Sequence, residues 1–221
     1  MTQELKTVGV IGAGVMGVGV AQSLAQSGHE VVLVDISTAR LDQALDELRQ
    51  NLRLQGLLSR RRGEAAAPAS PTAEVLARIR CTVAYEPLGA ADFVIENVVE
   101  KWAVKEEVYR RLDPVCPPHC VFGVDTSAIS ITRVGSVTTR PDRVVGMHFM
   151  NPVPLKPTVE VIRGYHTSEQ TLATALALLA AMGKEGIVVN DMPGFVSNRV
   201  LMLNRSETSA ACRRAAALAK R

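Results

Sequence analysis

Val8-Gly-Val-Ile-Gly-Ala-Gly-Val-Met-Gly17 is a short apolar run that passes directly into glycines. Such a run is how a buried parallel strand reads, because both of its faces are covered. Helical spacing follows at Val15, Val18, Ala21, Leu24 and Ala25, and it stops at Ser27-Gly28, where glycine closes a helix cheaply. Residues 31–34, Val-Val-Leu-Val, form a second apolar run closed by Asp35. Strand, helix and strand within some thirty residues make one βαβ unit. In that setting Gly12-Ala-Gly14-Val-Met-Gly17 is a dinucleotide motif rather than a chance glycine pattern. Gly12 makes the tight turn, Gly14 admits a pyrophosphate to the main chain, and Gly17 allows close helix–strand packing. The helix N-terminus turns unpaired N–H groups toward the phosphates. Asp35 is placed to accept from a ribose 2′-hydroxyl and to repel a 2′-phosphate, which favours NAD over NADP. Gly12, Gly14, Met16, Gly17 and Asp35 are the candidate cofactor residues. Arg40 lies too far along the next helix to be read as a phosphate ligand, and a solvated face is the plainer reading.

Working outward, Ser37 caps a helix with apolar positions Leu41, Leu45, Leu48 and Leu52 at helical steps. It runs into Arg53 and Arg60-Arg61-Arg62, then into an Ala/Pro/Ser stretch, residues 64–71, that reads as a loop. Thr72 is expected to cap a short helix reaching residue 79. Strands are expected at 81–85, 93–98, 121–124, 144–149, 159–162 and 187–190. Helices are expected at 104–112 and 169–182, with another starting in Asp191-Met-Pro-Gly-Phe-Val-Ser-Asn198-Arg199. Alternation of this kind predicts an α/β fold, a Rossmann-type doubly wound, mostly parallel sheet.

Composition narrows the function. The 221 residues are 47% hydrophobic and 21% charged, ordinary for a globular chain. Aromatics are only 4%, so aliphatic side chains fill the core. Of the net charge of +3, residues 204–221 alone carry +4. The body therefore lacks the basic face that nucleic acid requires. The longest apolar stretch, near residues 172–182, is shorter than the ~20 residues of a membrane span. The opening residues carry no targeting pattern, so the expected location is cytoplasmic. Cys116-Pro-Pro-His119-Cys120 has no second ligand pair to complete a zinc site. No metal is expected, and Cys81, Cys116, Cys120 and Cys212 are read as free thiols.

Of four histidines, His29 sits in a turn and is expected at the surface. His119 and His166 lack an acidic partner at a telling spacing. His148 differs, because it ends an expected strand and ligands gather at that edge of an open α/β sheet. Asp125-Thr-Ser127, the turn Asn151-Pro-Val-Pro leading to Glu160, and the 191–199 segment are its expected neighbours.

Taken together, GAGVMGVGVA (12–21), VIENVVEKWAVK (94–105), TSAISIT (126–132), GMHFMNPVP (146–154), VEVIRG (159–164) and DMPGFVSNRV (191–200) resemble the NAD-dependent 3-hydroxyacyl-CoA dehydrogenase family in order and spacing. The resemblance implies that His148 is the catalytic base and Glu160 its carboxylate partner. It implies that Ser127 and Asn198 meet the substrate near the reacting oxygen. It sets Glu100 and Lys105 beside the NAD and makes Asn151 a supporting residue of the substrate site. Such chemistry suits these side chains. A neutral imidazole, with a reference pKa of about 6.5, takes a proton from an alcohol near neutral pH. A carboxylate on its other nitrogen fixes the tautomer and stabilises the imidazolium. Hydroxyl and amide donors stabilise the developing oxygen charge. The plain alternatives are a surface carboxylate at Glu160 and helix caps at Ser127 and Asn198.

The resemblance also divides the chain into an NAD-binding domain, residues 1–190 with a helical arm at about 37–79, and residues 191–221 as the remnant of a truncated C-terminal helical region. The family's homodimer is in doubt if that region is short. Arg53 and Arg60 on the arm are candidate substrate contacts, to a coenzyme A phosphate or to an acidic carrier protein, against the plain reading of a solvated basic stretch. The substrate expected is a 3-hydroxyacyl thioester of coenzyme A or acyl carrier protein. The alternative is a catalytically weak or inactive truncated NAD-binding homologue. A β-hydroxyacid dehydrogenase is disfavoured, since no glycine-rich stretch precedes a lysine. Two departures stand out: Asp125, where the family has Asn, and Asn97, where it has a small residue. Lys156-Pro157 is closer to members of secondary metabolism.

Overall fold

A computed structural model describes residues 5–61 and 71–202. One eight-stranded sheet runs through it in the order β3-β2-β1-β4-β5-β6-β7-β8. The strands are β1 (Thr7–Ile11), β2 (Glu30–Val34), β3 (Ile79–Thr82), β4 (Phe93–Glu96), β5 (Val121–Val124), β6 (Val144–Phe149), β7 (Thr158–Arg163) and β8 (Glu185–Asn190). The helices are α1 (Val15–Gln26), α2 (Thr38–Arg61), α3 (Thr72–Ala77), α4 (Trp102–Leu112), α5 (Ile131–Gly135) and α6 (Glu169–Ala181). Every pairing is parallel except β6 with β7. The chain leaves β1 toward β2 and returns on its other side as β4, so the two crossovers part above β1. That division opens a crevice at the carboxyl ends of β1 and β4, the place where such sheets bind ligands.

Side chains alternate across the sheet into two cores. Phe93 and Ile95 join Leu24, Leu48, Met147 and Leu178 on one face. Val94 joins Tyr109, Leu112, Phe122 and Ile131 on the other. Covered faces of both kinds explain why the central strands read as unbroken apolar runs.

Several boundaries differ from the sequence reading. Pro71, not Thr72, is the N-cap of α3, and the arm ends at Ala77 because residue 79 belongs to β3. That strand covers 79–82 rather than 81–85, since its register is fixed by pairing Val31 with Ile79. The chain then turns at Tyr85 into a 3-10 helix over Glu86–Ala90. The segment after β8 turns through Gly194 and Phe195, both at positive φ, before helical residues 197–202. Asp191 starts no helix there. Its carboxylate accepts from the N–H groups of Ile131 and Thr132 and from the Ser130 and Thr132 hydroxyls at the start of α5. No described helix is long and apolar enough to cross a membrane. Most of the C-terminal remnant, residues 203–221 with Cys212, lies outside the described residues, as do residues 1–4 and the loop 62–70.

Candidate active site

The first half of the site is made of main chain. Gly12 has φ +92°, and a Cβ there would meet the Asn97 carbonyl at 2.8 Å. A Cβ on Gly17 would lie 1.8 Å from the Gly12 carbonyl oxygen. On Gly14 it would point into open space. Gly14 is also the N-cap of α1 and makes no side-chain cap, so the helix end faces the crevice ready for an anion. Asp35 follows β2 and uses one carboxylate oxygen to accept from the Ala13 N–H at 2.7 Å. That bond ties the acidic residue to the glycine loop. Above them lies a cavity of about 660 Å³ with Gly12, Gly14, Asp35, Tyr85, Asn97 and Val98 among its lining. Its size and largely apolar walls fit the adenosine part of a dinucleotide. Met16 is half-buried and packs against the first core. Arg40 also borders the cavity, where it pairs with Glu47 at 3.1 Å on a partly solvated face. The glycine cradle, the open helix end and the acidic residue together fit NAD.

The second half is made of side chains. Antiparallel register sets His148 of β6 directly opposite Glu160 of β7. His148 Nδ1 and Glu160 Oε2 are 2.7 Å apart, and both residues are buried. On the far side of the ring, Nε2 lies 3.1 Å from the Ser127 hydroxyl. Glu160 sits inside the sheet, because β8 rather than β7 is the edge. Its Oε1 accepts the N–H groups of Val196 and Ser197 at 3.1 and 2.8 Å, and its Oε2 accepts the Ser197 hydroxyl at 2.7 Å. Burial alone would push this carboxyl up. Hydrogen bonds from His148 and Ser197 outweigh that and hold it below the ordinary carboxylate range. The Phe195 ring leans on the imidazole, with centroids 5.9 Å apart.

Ser127 and Asn198 touch, and neither acts as a helix cap. Asn198 donates to the Ser127 carbonyl at 3.1 Å, and Ser130 is the residue that caps α5. Ser127, Ala128, Pro193, Gly194 and Asn198 line a cavity of about 950 Å³ on this side. Glu100 braces the serine turn, accepting the Ser127 and Ala128 N–H groups at 2.9 and 3.2 Å and the Thr126 hydroxyl.

Lys105 is completely buried, with its ammonium 3.7 Å from the Glu100 carboxylate. Its ammonium donates to both oxygens of Glu96 and to the Asp125 carbonyl, each at 2.8 Å. The Asp125 carboxylate itself accepts the Phe149 N–H at 3.3 Å. Burial pushes Asp125 up to about 7, with Glu96 and Glu100 adding to the shift. Burial also pushes Glu96 up, against the pull of Lys105.

The remaining candidates are scattered. Asn151 is exposed on the bend after β6. Arg53 is exposed on α2, and Arg60 falls on a part of that helix where side chains lie outside the described residues. His29 is buried rather than at the surface, 3.0 Å from the Ser27 hydroxyl, and burial lowers its pKa. His119 does have an acidic partner, Asp92 at 3.3 Å; a spacing of 27 residues gave no local signal for it. The sequence reading also missed Ser197, which lies beside Asn198 and looked like part of a helix start. Only its contact with Glu160, 37 residues away, marks it.

Comparison with known proteins follows the same lines. Residues 7–192 match the family model described as "3-hydroxyacyl-CoA dehydrogenase, NAD binding domain". The chain is 42% identical over 199 residues to a probable 3-hydroxybutyryl-CoA dehydrogenase of Bacillus subtilis, covering 90% of this chain and 67% of that one. It is 41% identical to the fatty acid oxidation complex subunit alpha of Acinetobacter baylyi, over 87% of this chain and 26% of the relative. Among solved structures, (S)-3-hydroxybutyryl-CoA dehydrogenase from Ralstonia eutropha superposes with TM-score 0.82 at 39% identity, covering 90% of this chain and 68% of that one. The 3-hydroxybutyryl-CoA dehydrogenase from Escherichia coli gives TM-score 0.88 at 35% identity, over 96% of this chain and 44% of the other.

Proposed function

The chain belongs to the 3-hydroxyacyl-CoA dehydrogenase family, and we propose that it interconverts 3-hydroxyacyl and 3-ketoacyl thioesters with NAD through His148 and Glu160. The observation that carries this reading is the line Ser127 hydroxyl, His148 ring, Glu160 carboxylate, joined at 3.1 and 2.7 Å. NAD, bound in the glycine crevice, supplies the hydride acceptor. His148 Nε2 takes the proton of the substrate hydroxyl as hydride leaves the carbon, and returns it in the reducing direction. Glu160 holds Nδ1 protonated, so that Nε2 is the free lone pair, and it stabilises the imidazolium. Ser127 and the Asn198 amide lie on the wall of the larger cavity; the second Asn198 N–H donates to the reacting oxygen, and the Ser127 hydroxyl does so once the substrate hydroxyl replaces it at Nε2. Glu100 keeps the serine turn in shape, and Lys105 neutralises the buried Glu96 beneath it. The carrier is coenzyme A or acyl carrier protein, with Arg53 and Arg60 on α2 as candidate phosphate or acidic-surface contacts and Asn151 supporting the substrate side.

Purified protein is expected to oxidise NADH, followed by its absorbance, when acetoacetyl-CoA is added. Equal turnover by wild type and His148→Gln would remove the histidine from its role. NADH binding without thioester-dependent oxidation would instead leave an NAD-binding homologue with little turnover.

A further inference from the structure

We propose that Ser197 is a positioning residue of the dyad: its N–H helps hold Glu160 in the rotamer facing His148, and its hydroxyl sets how much negative charge the carboxylate offers the imidazole. The inference rests on the His148–Glu160 reading and deepens it. Glu160 has two oxygens and four donors. The N–H groups of Val196 and Ser197 hold Oε1. The Ser197 hydroxyl and His148 Nδ1 converge on Oε2, both at 2.7 Å. The histidine thus shares its acceptor with a neutral donor.

Sharing has a direction. A hydroxyl that donates to a carboxylate stabilises its charge and lowers its appetite for a proton. The same donation weakens the pull of that oxygen on the imidazolium. The main-chain donors to Oε1 remain when the hydroxyl is removed, so Glu160 keeps its orientation and only the charge on Oε2 changes. Phe195 supports this clamp. Its backbone is at φ 46°, a strained value for a residue with a large side chain. That turn brings Ser197 to Glu160, the Phe195 ring to His148 and Asn198 to Ser127. The charged groups around the pair come from separate elements: Glu160 on β7, Asp125 at the end of β5, whose carboxylate accepts from Phe149 next to His148, and Glu100 under the Ser127 turn.

The test compares Ser197→Thr with Ser197→Val, near-isosteric variants that differ in the hydroxyl. Protein labelled with carbon-13 and nitrogen-15 is titrated by NMR without any substrate. In Ser197→Val the Glu160 carboxyl signal and the His148 ring signals are both expected to titrate at higher pH than in wild type, by about 0.5 pH. In Ser197→Thr neither moves. Unchanged midpoints in the valine variant, or a His148 midpoint that falls, would overturn the proposal, the latter meaning that the hydroxyl only holds the loop. Ser197→Ala gives a second hydroxyl-free background if the valine variant does not fold. Because the signals are read without turnover, this outcome is independent of whether the thioester reaction itself is found.

Discussion

The glycine crevice and the dyad are two halves of one site built by opposite means. The crevice is local: Gly12, Gly14, Gly17 and Asp35 lie within one βαβ unit, the glycines working through main chain and the absence of Cβ atoms and Asp35 through its carboxylate. The dyad is non-local. Ser127, His148, Glu160 and Ser197 arrive from the turn after β5, from β6, from β7 and from the segment after β8, and side-chain hydrogen bonds join them. A site of the first kind tolerates no added atoms at Gly12 or Gly17. One of the second kind tolerates shape changes but not lost donors or acceptors.

Substitutions that separate the halves sharpen this contrast. His148→Gln should lower acetoacetyl-CoA-dependent NADH oxidation by ~10²–10⁴, the usual worth of a general base, while NADH affinity by fluorescence titration stays within about twofold. A parallel loss of NADH binding would mean that the halves are not separable. Gly17→Ala should do the reverse, because its Cβ meets the Gly12 carbonyl. NADH binding is expected to weaken by ~100-fold as the pyrophosphate turn is displaced, and unchanged binding would break the idea that the crevice is a main-chain device.

Asp125 lies between the two regions and makes a pH-dependent case. Its carboxyl normally titrates near 3.8 but is raised to about 7 in the fold. The folded protein therefore binds more protons than the unfolded chain between those values, and stability falls as pH rises through the window. Asp125→Asn removes this cost. Urea unfolding should show the variant more stable than wild type by on the order of 2–4 kcal/mol at pH 8, with the difference shrinking by more than half at pH 5. A gap that is constant with pH would assign the effect to packing instead. The smallest effect is expected at Asp35. Asp35→Asn keeps an acceptor for the Ala13 N–H but loses the charge, so NADH binding should weaken about tenfold and NADPH binding should improve. If NADPH binding stays unmeasurable, charge is not what selects the cofactor.

Legibility in the sequence followed the same division. β5 and β6 were readable to the residue because apolar runs buried on both faces have sharp ends. β3 was misplaced by two residues because its start is set by pairing with β2, not by its own composition. His29 was misjudged because a turn position says nothing of what packs over it. His119 was misjudged because its partner Asp92 is distant in sequence.

Residue order alone determined the βαβ start, the glycine loop and the acidic residue after β2, because those depend on contacts among close neighbours in the chain. Folding decided that β7 runs antiparallel to β6, which sets Glu160 opposite His148. It also decided that the Lys105 ammonium meets Glu96, and that the Ser197 hydroxyl reaches the Glu160 carboxylate. These depend on register and burial between distant segments, and such relations exist only once the sheet has assembled.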